Sequence, residues 1–191
     1  MIRKLPHSPV PIIQQDNPVL RQIARKIEDK EFGSPTLADT IKRMNAALDS
    51  QEDGVAIAAP QIGESIRMFI VAKKAFAFEI EDEKEGEKKV TKNENKILQK
   101  NKVFINPKIT RQSKETQEME EGCLSVRFLY GSVRRKTKVT VEAFDEAGRK
   151  FTYHGSKLLA EIFQHEIDHL DGILFVDKAT DVRELLPEHH E

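Results

Sequence analysis

The chain has 191 residues, with 31 Lys+Arg against 32 Asp+Glu, so it is heavily charged yet carries a formal net charge of only −1. That balance gives no basic excess for nucleic acid and no acidic excess for a solvating tail. The length suits one domain with a sizeable core, and the single cysteine excludes an intramolecular disulfide framework and fits a reducing compartment. The opening segment M-I-R-K-L-P-H-S-P has no apolar run long enough for a signal peptide or a membrane span. The expectation is a cytoplasmic protein with neither nucleic-acid nor membrane partner.

Residues Met1–Gln15 read as a Pro-containing irregular arm. Asp16-Asn17-Pro18 is a helix start, a cap residue followed by Pro at the first helical position, and predicts a short helix through Val19, Leu20, Ile23 and Ala24. Ser34-Pro35 repeats the signal, and Leu37, Ile41, Met44 and Leu48 follow at helical spacing up to about Ser50. Gly54 opens V-A-I-A-A-P-Q, which ends at Gln61. Small residues on a short strand let something approach the backbone closely, and Gln61 brings an amide donor. A second strand is expected over Ile66–Ala72. Glu79–Lys102 is rich in Glu, Lys and Asn and reads as a solvated insertion or long hairpin tip. Val103-Phe104-Ile105 resumes a strand that Asn106-Pro107 is expected to end. Val139–Phe144, the turn Asp145–Gly148 and Lys150–Tyr153 read as a hairpin leading into the last helix.

That last helix carries Q-H-E-I-D-H-L-D-G, Gln164–Gly172. Leu158, Leu159, Ile162, Phe163, Ile167 and Leu170 form its apolar stripe, with Gly155-Ser156 as start and Gly172 as stop. His165 and His169, four apart, lie on one face and can present both imidazoles to one metal ion, while Glu166 sits where it can take a proton from bound water. A third ligand is needed. Cys123, the only thiol, lies in Glu120–Ser125, where Gly122 permits a close approach and Leu124 offers a backbone N–H. Three protein ligands leave a position open for water, as catalytic sites do. Zinc peptidases share H-E-x-x-H but need another His or Glu ligand after His169, and only a short charged tail remains there.

Three stretches in this order, G-V-A-I-A-A-P-Q (Gly54–Gln61), E-G-C-L-S (Glu121–Ser125) and Q-H-E-I-D-H (Gln164–His169), resemble the three motifs of peptide deformylases. N-P-V-L-R, F-I-N-P and D-G-I-L-F-V-D resemble the family's supporting stretches, so the likeness spans nearly all of residues 1–191 as one catalytic domain, save the Glu79–Lys102 insertion. It implies an α+β fold with antiparallel β-sheets wrapped around a central metal-binding helix, and removal of the formyl group from the N-terminal formyl-methionine of new polypeptides, with release of formate. It further implies Cys123, His165 and His169 as metal ligands, Glu166 as acid/base, and Gln61 and the Leu124 N–H as donors to the formyl oxygen. The motif residues Gly54, Ala56, Glu121 and Gly122 are expected to border the substrate. Val55, Met119, Leu158 and Ile162 match positions lining the methionine pocket. Cys-His-His ligands suit Zn2+ on geometry alone, whereas the resemblance implies Fe2+ in the cell, with Ni2+, Co2+ or Zn2+ able to occupy the site, and nascent chains at the ribosome as the setting. The chain departs from the pattern at Ala56, where a second Gly is usual, and at Arg127-Phe128, where Pro-Gly is usual.

Overall fold

The computed structural model describes residues 10–77 and 100–185, so most of the Glu79–Lys102 stretch lies outside the described residues. Among the described residues eight strands run β1 (Ala56–Ala58), β2 (Met68–Val71), β3 (Lys102–Gln112), β4 (Thr116–Cys123), β5 (Val126–Lys136), β6 (Lys138–Phe144), β7 (Lys150–Ser156) and β8 (Thr180–Glu184), with long helices α1 (Pro35–Asp49) and α2 (Lys157–Leu170). They build one antiparallel sheet in the order β1-β2-β3-β6-β7 and a second in the order β4-β5-β8. The class is α+β, as expected.

Successive side chains on a strand point to opposite faces, and β2 uses this to serve two cores. Met68 and Ile70 face α1 and pack with Leu37, Met44, Ala47 and Leu48. Phe69 and Val71 face α2 and pack with Phe104, Leu159, Phe163 and Ile167. The rings of Phe69 and Phe104 stack at 4.7 Å, and Phe163 of α2 sits 5.1 Å from Phe104. Burying each such side chain contributes roughly 1.5–3 kcal/mol, so α2 is fixed by its apolar stripe while its other face is left to polar residues. It also touches β5 of the second sheet, so both sheets bear on it.

Both long helices start where the sequence predicts. Ser34 Oγ caps α1 by accepting from the Leu37 N–H at 3.2 Å. Ser156 occupies the cap position of α2, where its side chain makes no capping hydrogen bond to the helix. Beyond α2, Gly172 takes a φ of +75°, and a Cβ there would meet the Arg21 carbonyl oxygen at 2.7 Å, so glycine is required twice over.

Three expectations need correction. The helix after Pro18 is a single 3-10 turn, Pro18–Arg21, capped by Asn17. Ile23 is 78% exposed, and the Ala24 N–H donates to the Leu170 carbonyl instead of continuing the helix. Asn106-Pro107 does not end β3: Asn106 adopts a φ of +49°, its side chain bonds both backbone polar groups of Ile27, and the strand resumes after a register shift. Lys102, the last residue of the expected insertion, begins β3, its ammonium 4.3 Å from the centre of the Phe151 ring.

Candidate metal centre and substrate cleft

The ligand atoms of Cys123, His165 and His169 all lie within 4.8 Å of one another. Cys123 comes from the last position of β4 and both histidines from α2, which the aromatic core holds in place. Cys123 Sγ is 3.1 Å from His169 Nε2, accepts from the Ser125 N–H at 3.4 Å and is reached by the Gln61 amide at 3.6 Å. Burial works against a thiolate, but the imidazoles of His169 and His165 outweigh it and bring the thiol down to about 5.

His165 is oriented from behind. Its Nδ1 lies 2.8 Å from Glu121 Oε2, which frees the other ring nitrogen to face the thiolate. Glu121 is 2% exposed and takes two bonds from Arg135, at 2.5 and 3.0 Å. Arg135 also donates to Asp168 at 2.6 Å, and Lys178 to the same carboxylate at 2.7 Å. Burial alone would raise the Glu121 carboxyl, but Arg135 and His165 hold it down at about 2.

Two buried polar atoms here have no hydrogen-bond partner among the described residues: Glu166 Oε2 and His169 Nδ1. Unpartnered buried groups are costly and ask for an explanation. For Glu166 a site that binds a cation and a water supplies one, and a thiolate with two imidazoles is a suitable donor set for a transition metal; His169 Nδ1 is the ring nitrogen opposite the Nε2 that faces Cys123 and takes no part in that donor set. The residues therefore fit a metal ion. Glu166 is 4% exposed, and burial pushes its carboxyl up to about 7, the charges of Cys123 and Glu121 adding to the effect and those of His165 and His169 opposing it. A carboxyl near neutrality can both accept and return a proton.

A cavity of about 480 Å3 opens beside these groups. It is lined by Gly54, Val55, Ala56, Gln61, Gly122, Cys123, Leu124, Ile162, His165 and Glu166, all expected at the site. Gln61 is 1% exposed, its Oε1 accepts from the Ala58 N–H at 2.7 Å, and so its amide nitrogen is aimed at the site, where it meets Ser125 Oγ at 3.1 Å. The carbonyl of Leu124 is tied to the Gln14 amide at 3.1 Å. Gly122 faces Tyr130 across the β4–β5 pair, and a Cβ there would meet that ring at 2.7 Å.

Three expected substrate residues are absent from the lining. Met119 stands on β4 opposite Val133, Leu158 packs half-buried against the α2 core, and Glu121 lies behind His165. Conversely, the sequence reading missed Asp53, Val126, Leu129, Tyr130, Glu161 and Leu185 in the lining, and Arg135 behind it. Arg127 and Phe128 border the cavity as well. Phe128 holds a φ of +67°, a left-handed conformation that costs a side-chain-bearing residue about 1–2 kcal/mol.

Residues 9–184 match the family described as polypeptide deformylase. The chain is 38% identical to a peptide deformylase of Christiangramia forsetii over 93% of its own length and 85% of that protein. It is 37% identical to one of Rhizobium meliloti, over 91% and 86%. The fold is similar to the crystal structure of peptide deformylase from Thermotoga maritima, with a TM-score of 0.72 and 29% identity, covering 91% of this chain and 99% of that one. It is equally similar, with a TM-score of 0.72 and 32% identity, to the actinonin-bound class I type b peptide deformylase from Acinetobacter baumannii, over 90% and 98%.

Proposed function

The chain belongs to the polypeptide deformylase family, hydrolases that remove the N-formyl group from an N-terminal methionine, and we propose how its own residues divide that work. Cys123, His165 and His169 hold one divalent metal ion. The observation that carries this reading is their convergence within 4.8 Å beside a buried, unpartnered carboxylate. When bound, the ion supplies Lewis acidity, polarising the formyl carbonyl and making water acidic enough to attack at neutral pH.

Glu166 accepts the proton of the attacking water and returns it to the methionine nitrogen as the C–N bond breaks, which leaves formate and a free amine. The Gln61 amide and the Leu124 N–H donate to the formyl oxygen as negative charge builds on it; one such donor is typically worth about 3–4 kcal/mol. Because Gln61 Oε1 is already engaged by Ala58, the amide cannot turn its acceptor toward that oxygen. Glu121 and Arg135 position His165. The small residues of β1 leave room for a formyl group and exclude larger acyls, and Val55 and Ile162 offer apolar surface to the methionine side chain.

Fe2+ is our choice for the ion in the cell on the family resemblance, and Zn2+, Ni2+ or Co2+ could occupy the same ligands, since thiolate and imidazole suit all four. Nascent formyl-methionyl chains emerging from a cytoplasmic ribosome are the setting in which such a substrate arises. No helix among the described residues is long and apolar enough to cross a membrane. Protein prepared without oxygen and offered a formyl-Met peptide is expected to release formate and leave the peptide chain intact by mass spectrometry. Internal cleavage, or no loss of formyl with the metal site full, would contradict this reading.

A further inference from the structure

Besides Glu166, two carboxylates among the described residues line the cavity, Asp53 and Glu161. Asp53 is neutralised, since Arg127 Nη1 donates to it at 2.8 Å. The Glu161 carboxylate has no hydrogen-bond or ion-pair partner among the described residues. It is half-buried, and nothing in the reaction above uses it. Leaving a carboxylate desolvated and unpaired is unfavourable unless a ligand supplies the missing partner. Burial accordingly raises its carboxyl to about 7, with the charge of Glu121 adding to the effect.

The position of Glu161 says which part of a substrate it meets. On α2, Glu161 and Ile162 form one rung of the cavity wall, and His165 and Glu166 form the next, four residues on. One helical turn is about 5.4 Å. Since consecutive Cα atoms are about 3.8 Å apart, a group one turn from the reacting formyl carbon is level with the methionine side chain or with the residue after methionine. Ile162 and Val55 supply apolar surface for the first. A carboxylate offers nothing to a thioether but is complementary to a cation.

We propose that Glu161 is a specificity-determining residue, which favours formyl-Met peptides whose second residue is Lys or Arg over those with Asp or Glu there. The proposal rests on this cleft binding formyl-Met peptides. Among the described residues no other carboxylate or cation lining the cavity competes for the role: Arg127 is already held by Asp53 and Gln51, and Glu166 sits on the reactive rung.

The test compares kcat/KM for formyl-Met-Lys-Ala and formyl-Met-Glu-Ala at low ionic strength and at about pH 8, where the carboxylate is ionised. The ratio of the two within one preparation cancels metal occupancy and folded fraction. Wild type is expected to prefer the Lys peptide by about tenfold or more, as a partly desolvated charge pair allows. The preference should shrink with added salt. Glu161→Gln should bring the ratio close to unity, and Glu161→Lys should invert it. Affinities of the product peptides Met-Lys-Ala and Met-Glu-Ala, measured by calorimetry, should follow the same order and need no catalysis. A wild-type ratio near unity, or one that Glu161→Gln leaves in place, would overturn the proposal. Failure of wild type to deformylate either peptide would instead count against the deformylase reading, and the product affinities would still decide the role of Glu161.

Discussion

Glu121 Oε2 and His165 Nδ1 stand 2.8 Å apart, and the same carboxylate is gripped by the buried Arg135. The motif residue next to Gly122 thus lies behind a proposed metal ligand and outside the cavity lining. Glu121 and Cys123 are two apart on β4 and share a face, which brings one to the histidine's back and the other to its front.

Glu121→Gln should therefore weaken metal binding by about 10–100-fold, since partners of ligating histidines typically matter to that degree. The metal-free protein should also lose stability, toward the lower end of the about 3–5 kcal/mol seen when one partner of a buried ion pair is removed, because Arg135 keeps Asp168. Competition with a chelator measures the first and urea unfolding the second. An unchanged metal affinity would show that the Glu121 contact does not orient His165.

Ala56→Gly bears on the departure from the family pattern. Ala56 pairs with Val71, is 7% exposed, and both lines the cavity and packs into the α2 core. Overpacking by one methyl can cost about 1–3 kcal/mol where nothing relaxes. The glycine variant is expected to raise kcat/KM on a formyl-Met peptide at least several-fold at matched metal occupancy. It should lose about 1–2 kcal/mol of stability through backbone entropy and the missing methyl. An equal or lower kcat/KM would mean that the cleft already accommodates the methyl.

Acid sensitivity has a contribution far from the metal. Arg25 holds Glu31 through two 2.8 Å bonds, the Glu28 N–H donates to the same carboxylate at 2.8 Å, and together they lower its carboxyl from 4.5 to about 2. A carboxyl whose folded value is depressed stabilises the fold fully above its unfolded value, and that contribution is lost as pH falls through the folded value. Glu31→Gln should thus be slightly less stable than wild type at neutral pH, with the gap closing between pH 4.5 and about 2. Urea midpoints across that range, on metal-free protein, measure it. A gap that does not change with pH would contradict the assignment. The effect is small because Arg25 is largely solvated.

How far the sequence carried can be seen in individual elements. Both long helices were legible because Ser34-Pro35 and the 3.6-residue apolar periodicity are local signals. The pair β4–β5 was not: along T-Q-E-M-E-E-G-C most side chains face solvent, so no apolar alternation marks the strand. Asn106-Pro107 looked like a stop because the side-chain bonds of Asn106 to Ile27 join positions distant in sequence. At the site, Cys123, His165, His169, Glu166 and Gln61, which the fold brings together, were readable from motif chemistry. Arg135 and Glu161 were not, since one is brought in by strand pairing and the other is an ordinary polar residue on an amphipathic helix until its cavity is known.

The most direct test of the division of labour is Glu166→Gln. The variant keeps the shape of the side chain and the three ligands while removing only the base. It should retain wild-type metal content and lose about 100- to 10,000-fold in kcat on a formyl-Met peptide, the usual worth of a positioned acid/base. Metal content and formate release are measured on the same anaerobic sample. Full metal with the large loss of turnover is the predicted result, and full metal with near wild-type turnover would contradict Glu166 as the proton carrier.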